Sequence, residues 1–494
     1  MILSKSDYMD FLRHPALLWL KKHDPNKIPP IDAATQQRMD SGYDFEEYAE
    51  RLFPDAIKIG FNSPAEYRTM LSRTATAWTK GANYVAQGMY KLDELTCITD
   101  VLEADGDGYT LTEIKSSNSA KPEHILDLAF QKIILEANGY TIHKCQVVHA
   151  NPFYLRHGAI DPGALTCFTD VTDDVEKKLA ETQEQTTEAV SIINSQTIPD
   201  IDPLIAAPSF FAAWLQIRKS LEPKLSDDSI YHLPKIGHQV AKKLISQNID
   251  NIGDIDEASP LSHGTAKYWK ALSRNGLHTN STKLLQFLDT IRYPVYYLDY
   301  ETVSNAVPIW DNTSPHQPVP FQYSLHIKRD PNAVLEHFEY LHGEADFPVD
   351  GLLSSLSKLI DISGTILVWN QSFEKKRNEA MAVFRPEYKS FLESVNERVI
   401  DLMDPFRKDI ITDPAFLGSY SIKDVLPVMV PGYSHNELDI KDGVTALNEW
   451  KRVTLQDTPD KESVYIDLKK YCKRDTEAMV KIHEALKNEI SRTK

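Results

Sequence analysis

Cysteine is scarce in this chain: four residues in 494, at positions 97, 145, 167 and 472, with no two close in sequence. That spacing argues against a disulfide framework or a zinc knuckle and points to a reducing compartment. No apolar run approaches the roughly 20 residues of a membrane-spanning helix. The opening Met1-Ile2-Leu3-Ser4-Lys5-Ser6-Asp7 carries no apolar segment of the signal-peptide kind, so a cytoplasmic protein with no membrane partner is expected. Internal repeats and low-complexity tracts are missing too. Positive charge is also short. The net charge of −17 argues against a basic nucleic-acid coat, although it leaves room for an acidic metal cleft beside a local basic surface.

What is present is ordinary globular composition, 42% hydrophobic and 25% charged, on a chain long enough for two or three domains. Residues 1 to about 55 carry Tyr8, Phe11, Leu12, Leu17, Leu18 and Leu20 at helical spacing. From about residue 95 the pattern becomes strand, turn, strand, helix, strand. Cys97–Leu102 and Tyr109–Lys115 flank the turn Asp105-Gly106-Asp107-Gly108, the helix runs through Ile125–Glu136 to Asn138-Gly139, and Lys144–His149 follows. A charged helix is expected near 171–195 and a Pro-containing loop near 198–208. A second block starts at Tyr293-Pro294, with strands at Val295–Asp299, Tyr323–Ile327 and Thr365–Trp369 and helices at 373–384 and 464–490.

The turn mimics an EF-hand at Glu103, Asp105, Asp107 and Gly108. Its twelfth position is Ile114 rather than a bidentate Glu, so a hairpin is the better reading. The hairpin brings Asp100 beside Glu113 and Lys115, which share a strand face. Two carboxylates suit Mg²⁺ or Mn²⁺, and the lysine suits an attacking water and a charged phosphate.

This set resembles the RecB-like branch of the PD-(D/E)XK nucleases: Asp100, the hairpin, Glu113-Ile114-Lys115-Ser116-Ser117, a helix with Asp127 and Gln131, then Tyr154. The resemblance implies metal binding by Asp100 and Glu113, catalysis by Lys115, and support from Gln131 and from Tyr154, the latter on the nucleic-acid side. Glu46, in Gly42-Tyr43-Asp44-Phe45-Glu46, stands where the branch often has a metal-binding His. Several relatives hold an iron–sulfur cluster on four cysteines; here His14 precedes Pro15, and Ala206-Ala207-Pro208-Ser209 replaces the Cys-rich segment, so no cluster is expected.

In the middle, Leu233-Pro234-Lys235-Ile236-Gly237 with Ala241, Leu244 and Asn248-Ile249-Asp250 reads either as a helix-hairpin-helix, with Lys235 where the first Gly is usual, or as a plain helical connector. Lys267, Tyr268, Trp269, Lys270 and Arg274 form a basic, aromatic stretch, a candidate nucleic-acid contact or a solvated helix face.

The second constellation is Leu298-Asp299-Tyr300-Glu301-Thr302, with both acids on one strand face, and Tyr471-Cys472-Lys473-Arg474-Asp475, with Tyr and Asp one helical turn apart. Together with Asn370-Gln371-Ser372-Phe373-Glu374 these resemble the DEDD exonucleases of the RNase H-like fold. That resemblance implies metal ligation by Asp299, Glu301, Glu374 and Asp475, a water-orienting Tyr471, and a groove shaped by Asp401 and Gly418–Asp424. Glu374 stands where the family has Asp. The pairing of both blocks, with Pro320-Phe321-Gln322-Tyr323-Ser324-Leu325-His326, resembles a bacterial domain-of-unknown-function family that joins the two nuclease types.

The expected architecture is therefore α/β and multidomain: a PD-(D/E)XK restriction-endonuclease-like core (1–197), a helical linker (198–291) and an RNase H-like domain (292–494). The expected function is a Mg²⁺- or Mn²⁺-dependent nuclease acting on nucleic acid, DNA before RNA, with a 3′–5′ exonuclease-type site in the C-terminal domain. The alternative is a nucleic-acid-binding or regulatory protein of a defence or repair system with one or both sites inactive.

Overall fold

A computed structural model describes residues 1–222, 226–274, 276–456 and 458–492. The chain divides into two units, each mixing helices and sheet. The first comprises Met1–Asp227, Gly237–Lys242 and Asn305–His316, and the second Asp228–Ile236, Lys243–Ser304 and Gln317–Lys494. The segment expected as a separate linker thus contributes to both. Among the described residues no helix is long and apolar enough to cross a membrane.

The first unit is built on a seven-stranded sheet of β1 (Leu3–Ser4), β2 (Ile57–Lys58), β3 (Tyr84–Leu92), β4 (Leu95–Asp105), β5 (Gly108–Lys115), β6 (Ile142–Ala150) and β7 (Thr166–Asp170). β3, β4 and β5 form an antiparallel meander, and β6 runs parallel to β5. The EF-hand-like acids close the β4–β5 hairpin, with Asp105 opposite Gly108 and Gly106 at φ +62°. That left-handed conformation is one a glycine adopts without steric cost. The β5–β6 crossover is the helix Pro122–Ala137, which starts with Pro in its first turn and is followed by Gly139 at φ +87°. Its apolar face buries Leu128, Phe130, Ile134 and Leu135 against Tyr8 and Phe11 of the helix Lys5–Arg13. The Tyr8 and Phe130 rings stack at 5.0 Å, and each such side chain contributes about 1.5–3 kcal/mol by leaving water.

The helical reading of the first 55 residues meets helices at Lys5–Arg13, Pro15–His23 and Ala33–Glu50, but Leu3–Ser4 is strand, parallel to Leu95–Thr96. A two-residue strand has no periodicity to announce it. β3 also went unpredicted: its burial does not alternate strictly, so a period-2 pattern never forms.

The second unit contains β8 (His278–Thr279), β9 (Val295–Val303), β10 (Val319–Lys328), β11 (Glu336–Leu341), β12 (Thr365–Val368), β13 (Val399–Asp401) and β14 (Ile411–Thr412). Five of these form one sheet in the order β11-β10-β9-β12-β13, while β8 pairs with β14. β9 is central: antiparallel to β10 and parallel to β12. The long helix Lys461–Arg492 buries Leu468, Cys472, Met479, Ile482 and Leu486. Gly364, at φ +91°, precedes β12 where an added Cβ would lie 2.1 Å from the Pro294 carbonyl, so only glycine fits this approach.

His14 and Ala206, at the places where an iron–sulfur cluster would need cysteines, belong to an aromatic and aliphatic cluster. The His14 ring stacks on Trp214 at 3.7 Å, and Ala16, Leu17, Leu20, Ala206 and Ile217 surround Trp214. His14 Nδ1 accepts the Ala16 N–H at 3.0 Å, capping the helix Pro15–His23, and Nε2 lies 3.1 Å from the Asp202 carbonyl. Burial drives its pKa down to about 4. A lowered histidine pKa means the folded state favours the neutral ring. The contribution is therefore full above pH 6.5 and is lost as pH falls from 6.5 through about 4. His14→Asn, which keeps a capping group, is expected to cost more stability at pH 7.5 than at pH 4.5. Urea denaturation at both pH values checks this, and an equal cost at the two contradicts it.

Candidate functional site

The second unit gathers acids from three elements. Asp299 and Glu301, two apart on the central strand, point to one face. Glu374 lies in the first turn of the helix Gln371–Phe384, and Tyr471, Cys472 and Asp475 lie on the long C-terminal helix. Ligand atoms of Asp299, Glu301 and Cys472 all fall within 4.8 Å of one another. The Cys472 thiol approaches Asp299 Oδ2 at 3.8 Å.

Asp401 fixes Glu374 from behind. Its carboxylate accepts N–H groups of Asn370 at 3.0 Å, Gln371 at 3.2 Å and Met403 at 3.1 Å. It thereby satisfies orphan donors at the start of the Glu374 helix, where Asn370 sits at φ +83°. Asp401 is thus placed as a positioning group for the helix.

Electrostatically this cluster is under-compensated: Lys423 opposes the shift at Glu301 and Arg377 that at Glu374, and neither outweighs it. Burial first, and then the neighbouring acids, pushes the carboxyls of Asp299, Glu301 and Glu374 well above the carboxylate range. Glu374 is 2% exposed and its Oε2 has no hydrogen-bond partner. Oxygen donors crowded together with one orphaned oxygen are a donor set that suits a hard divalent cation. Burial, followed by Asp475 and Glu301, also raises the Tyr471 phenol, which therefore stays protonated. His435, from a loop that sequence spacing gave no reason to select, places Nε2 2.8 Å from Asp475 Oδ1.

An open groove of about 800 Å³ leads to Asp299 and Glu374 past Trp369, Phe373, Tyr420 and Lys235. Lys235 is exposed and adopts φ +60°, the conformation the usual hairpin glycine would supply. Thr265 Oγ1 holds its carbonyl at 3.1 Å. Lys270 and Arg274 are exposed. Lys267, expected on the same contact surface, is instead buried: its ammonium donates to the Phe406 carbonyl and pairs with Asp409 at 3.1 Å.

The first unit assembles its own cluster. Glu113 on β5 is fully buried and Gln131 Nε2 donates to its Oε2 at 2.7 Å. Lys115 contacts Glu113 Oε1 and lies 3.4 Å from Asp127 Oδ2. Asp100 Oδ2 accepts the Ile114 N–H at 2.7 Å. Glu46 stands half-buried near these acids, held by Gln87 at 3.1 Å. Tyr154 is packed into a core with Phe45, Ile114 and Val148. The residue absent from the sequence reading is Lys5, whose Nζ lies 2.9 Å from Glu113 Oε1 and 3.4 Å from Asp127 Oδ1.

The charges here are largely matched. Burial pushes Glu113 up, but Lys115 and Lys5 together outweigh it and hold the carboxyl well below its ordinary range. Asp100 has no such contact, and burial followed by Glu113 raises it to about 7. The buried Gln131 Oε1 lacks a partner. Both Glu113 oxygens are partnered, which leaves Asp100 and this orphaned oxygen as the ligand atoms open to a cation.

Residues 296–421 match the family model described as Domain of unknown function (DUF2779). The matched residues run from Tyr296 in β9 through β13 and include Asp299, Glu301, Glu374 and Asp401. The chain is also 27% identical over 216 residues to the Uncharacterized protein MG366 homolog of Mycoplasma pneumoniae, covering 40% of this chain and 32% of that protein. It is 26% identical over 222 residues to the Uncharacterized protein UU173 of Ureaplasma parvum, again covering 40% and 32%. The match thus spans about a third of the length of these relatives.

Cation binding at the DUF2779 acids is expected to stabilise the fold by about 2.7 kcal/mol at a hundredfold excess over Kd. Thermal melting with and without Mn²⁺ reads this directly. The Mn²⁺-induced rise in Tm should shrink in Asp299→Ala, and an identical rise in wild type and variant contradicts the assignment.

Proposed function

We propose that the protein is a divalent-metal-dependent nuclease with two sites, acting on nucleic acid and on DNA in preference to RNA. The observation that carries this reading is that Asp299, Glu301, Glu374, Tyr471 and Asp475 act on one another electrostatically, with Asp299 and Glu374 lining one groove. The sheet order β11-β10-β9-β12-β13, with its first three strands antiparallel and the acids on the central strand, supports an RNase H-like fold for the second unit. In the first unit, the meander, crossover helix and parallel β6 support a PD-(D/E)XK core.

Asp299, Glu301, Glu374 and Asp475 would hold the cations of the second site, with Mg²⁺ and Mn²⁺ the fitting ions. When bound, these neutralise phosphate charge and polarise the attacking water. The protonated Tyr471 hydroxyl orients that water by hydrogen bonding, and His435 fixes the Asp475 carboxylate. Hydrolysis forms a bond between the water oxygen and phosphorus and breaks the phosphorus–oxygen bond to the 3′ oxygen of the shortened strand, which takes up a proton as the terminal 5′-nucleotide leaves. Trp369 and Tyr420 line the groove that would receive a strand, and the 3′ polarity follows from the resemblance to the DEDD exonucleases. In the first site Lys115 supplies the cation that faces phosphate, and Gln131 keeps Glu113 oriented.

One observation favours a second reading, in which the first unit binds nucleic acid without cutting it: Glu113 is already neutralised by two ammonium groups. Both readings are tested with end-labelled single- and double-stranded DNA and RNA in Mg²⁺ or Mn²⁺. Asp299→Ala should cut stepwise trimming by roughly 10²–10³-fold, the usual cost of losing a charge-stabilising group. Lys115→Ala should remove a separate, internal cleavage. Failure to degrade any substrate, or degradation unaffected by either change, overturns the proposal. Loss in Asp299→Ala alone selects the second reading.

A further inference from the structure

We infer that Lys5 is a positioning group of the first unit's site, its ammonium standing where a second cation would otherwise lie, so that the site takes a single divalent ion. This rests on the nuclease reading of that unit. Four charged groups alternate there: Lys5 and Lys115 both contact Glu113 Oε1, and each lies 3.4 Å from a different oxygen of Asp127. Two ammonium groups on one carboxylate oxygen repel each other, and Asp127, 3.4 Å from both, offsets that repulsion. A second divalent ion on this side of Glu113 would have to displace Lys5.

The placement is built into the backbone. Lys5 is the first residue of its helix, immediately after the N-cap Ser4. Ser4 Oγ accepts the Asp7 N–H at 3.2 Å, Asp7 Oδ2 accepts the Ser4 N–H at 2.9 Å, and Lys22 grips Asp7 at 2.6 Å. β1 ties the preceding residues to β4, the strand that carries Asp100. With its backbone held on both sides, the Lys5 side chain is 20% exposed and reaches a carboxylate 108 residues away. A residue serving only solubility would not be anchored in this way. The second unit offers the contrast, since its acids crowd together and leave Glu374 Oε2 unpartnered.

The test uses the full chain carrying Asp299→Ala, which silences trimming by the other site, and compares Lys5 with Lys5→Met and Lys5→Arg. Bound Mn²⁺ is counted by electron paramagnetic resonance, thermal melting verifies folding, and internal cleavage is followed as Mn²⁺ is raised. Lys5→Met should bind one more Mn²⁺ than its parent. Its cleavage should fall roughly ten- to hundredfold at low Mn²⁺ and recover as Mn²⁺ rises, because an ion enters the vacated position. Lys5→Arg should keep the parent's stoichiometry. Unchanged Mn²⁺ stoichiometry in folded Lys5→Met overturns the inference, as does faster cleavage, which would make Lys5 an inhibitory contact. Should the parent cut nothing, the nuclease reading of this unit falls, while the stoichiometry still decides whether Lys5 holds a cation's place.

Discussion

Taking a carboxylate out of water costs several kcal/mol unless a cation or hydrogen-bond donors replace the lost solvent. Both units are organised around that cost, and they meet it differently. In the first, Glu113 is fully buried yet fully partnered, with Lys5 and Lys115 on one oxygen and Gln131 on the other. In the second, burial and then neighbouring acids raise Asp299, Glu301 and Glu374, and Lys423 and Arg377 oppose this without forming an ion pair among the described residues. Burial without a paired counter-charge is unfavourable for stability, and a site of that kind persists where charge is needed for function.

The rest of each unit positions these acids. The β4–β5 turn, closed by Gly106, sets the register that brings Asp100 beside the Glu113 strand, and the buried face of the Pro122–Ala137 helix fixes how Gln131 and Asp127 approach it. In the second unit, β9 lies between β10 and β12, so Asp299 and Glu301 are carried by the most constrained strand of the sheet. Asp401 places Glu374 through backbone N–H groups and, as a neighbouring acid, adds to the charge that raises it.

Much of this was legible in the sequence, for a physical reason. Residues two apart on a strand share a face, and residues four apart share a helix face. Asp299 with Glu301, Glu113 with Lys115, and Tyr471 with Asp475 could therefore be paired from spacing alone. Lys5 and His435 could not. Each reaches its carboxylate from a chain segment whose proximity is set by tertiary packing, across 108 and 40 residues respectively. Lys267 shows the opposite limit. A basic, aromatic stretch reads as a contact surface, but helical periodicity turns one of its lysines inward, where Phe406 and Asp409 take up its ammonium.

Glu374 illustrates how local geometry compensates for a side-chain change. Glutamate is one methylene longer than aspartate, so where its carboxyl is delivered depends on the depth at which its helix begins. The depth is not arbitrary. Asn370 adopts a left-handed conformation, and the Asp401 carboxylate holds the N–H groups of Asn370 and Gln371, so the helix start is pinned to the end of β13. With the start pinned, the glutamate extends into a buried position and leaves Oε2 unpartnered. A longer acid on a fixed helix and a shorter acid on an advanced one can deliver an oxygen to the same place, so the identity of the middle acid matters less than the anchoring of the turn that carries it.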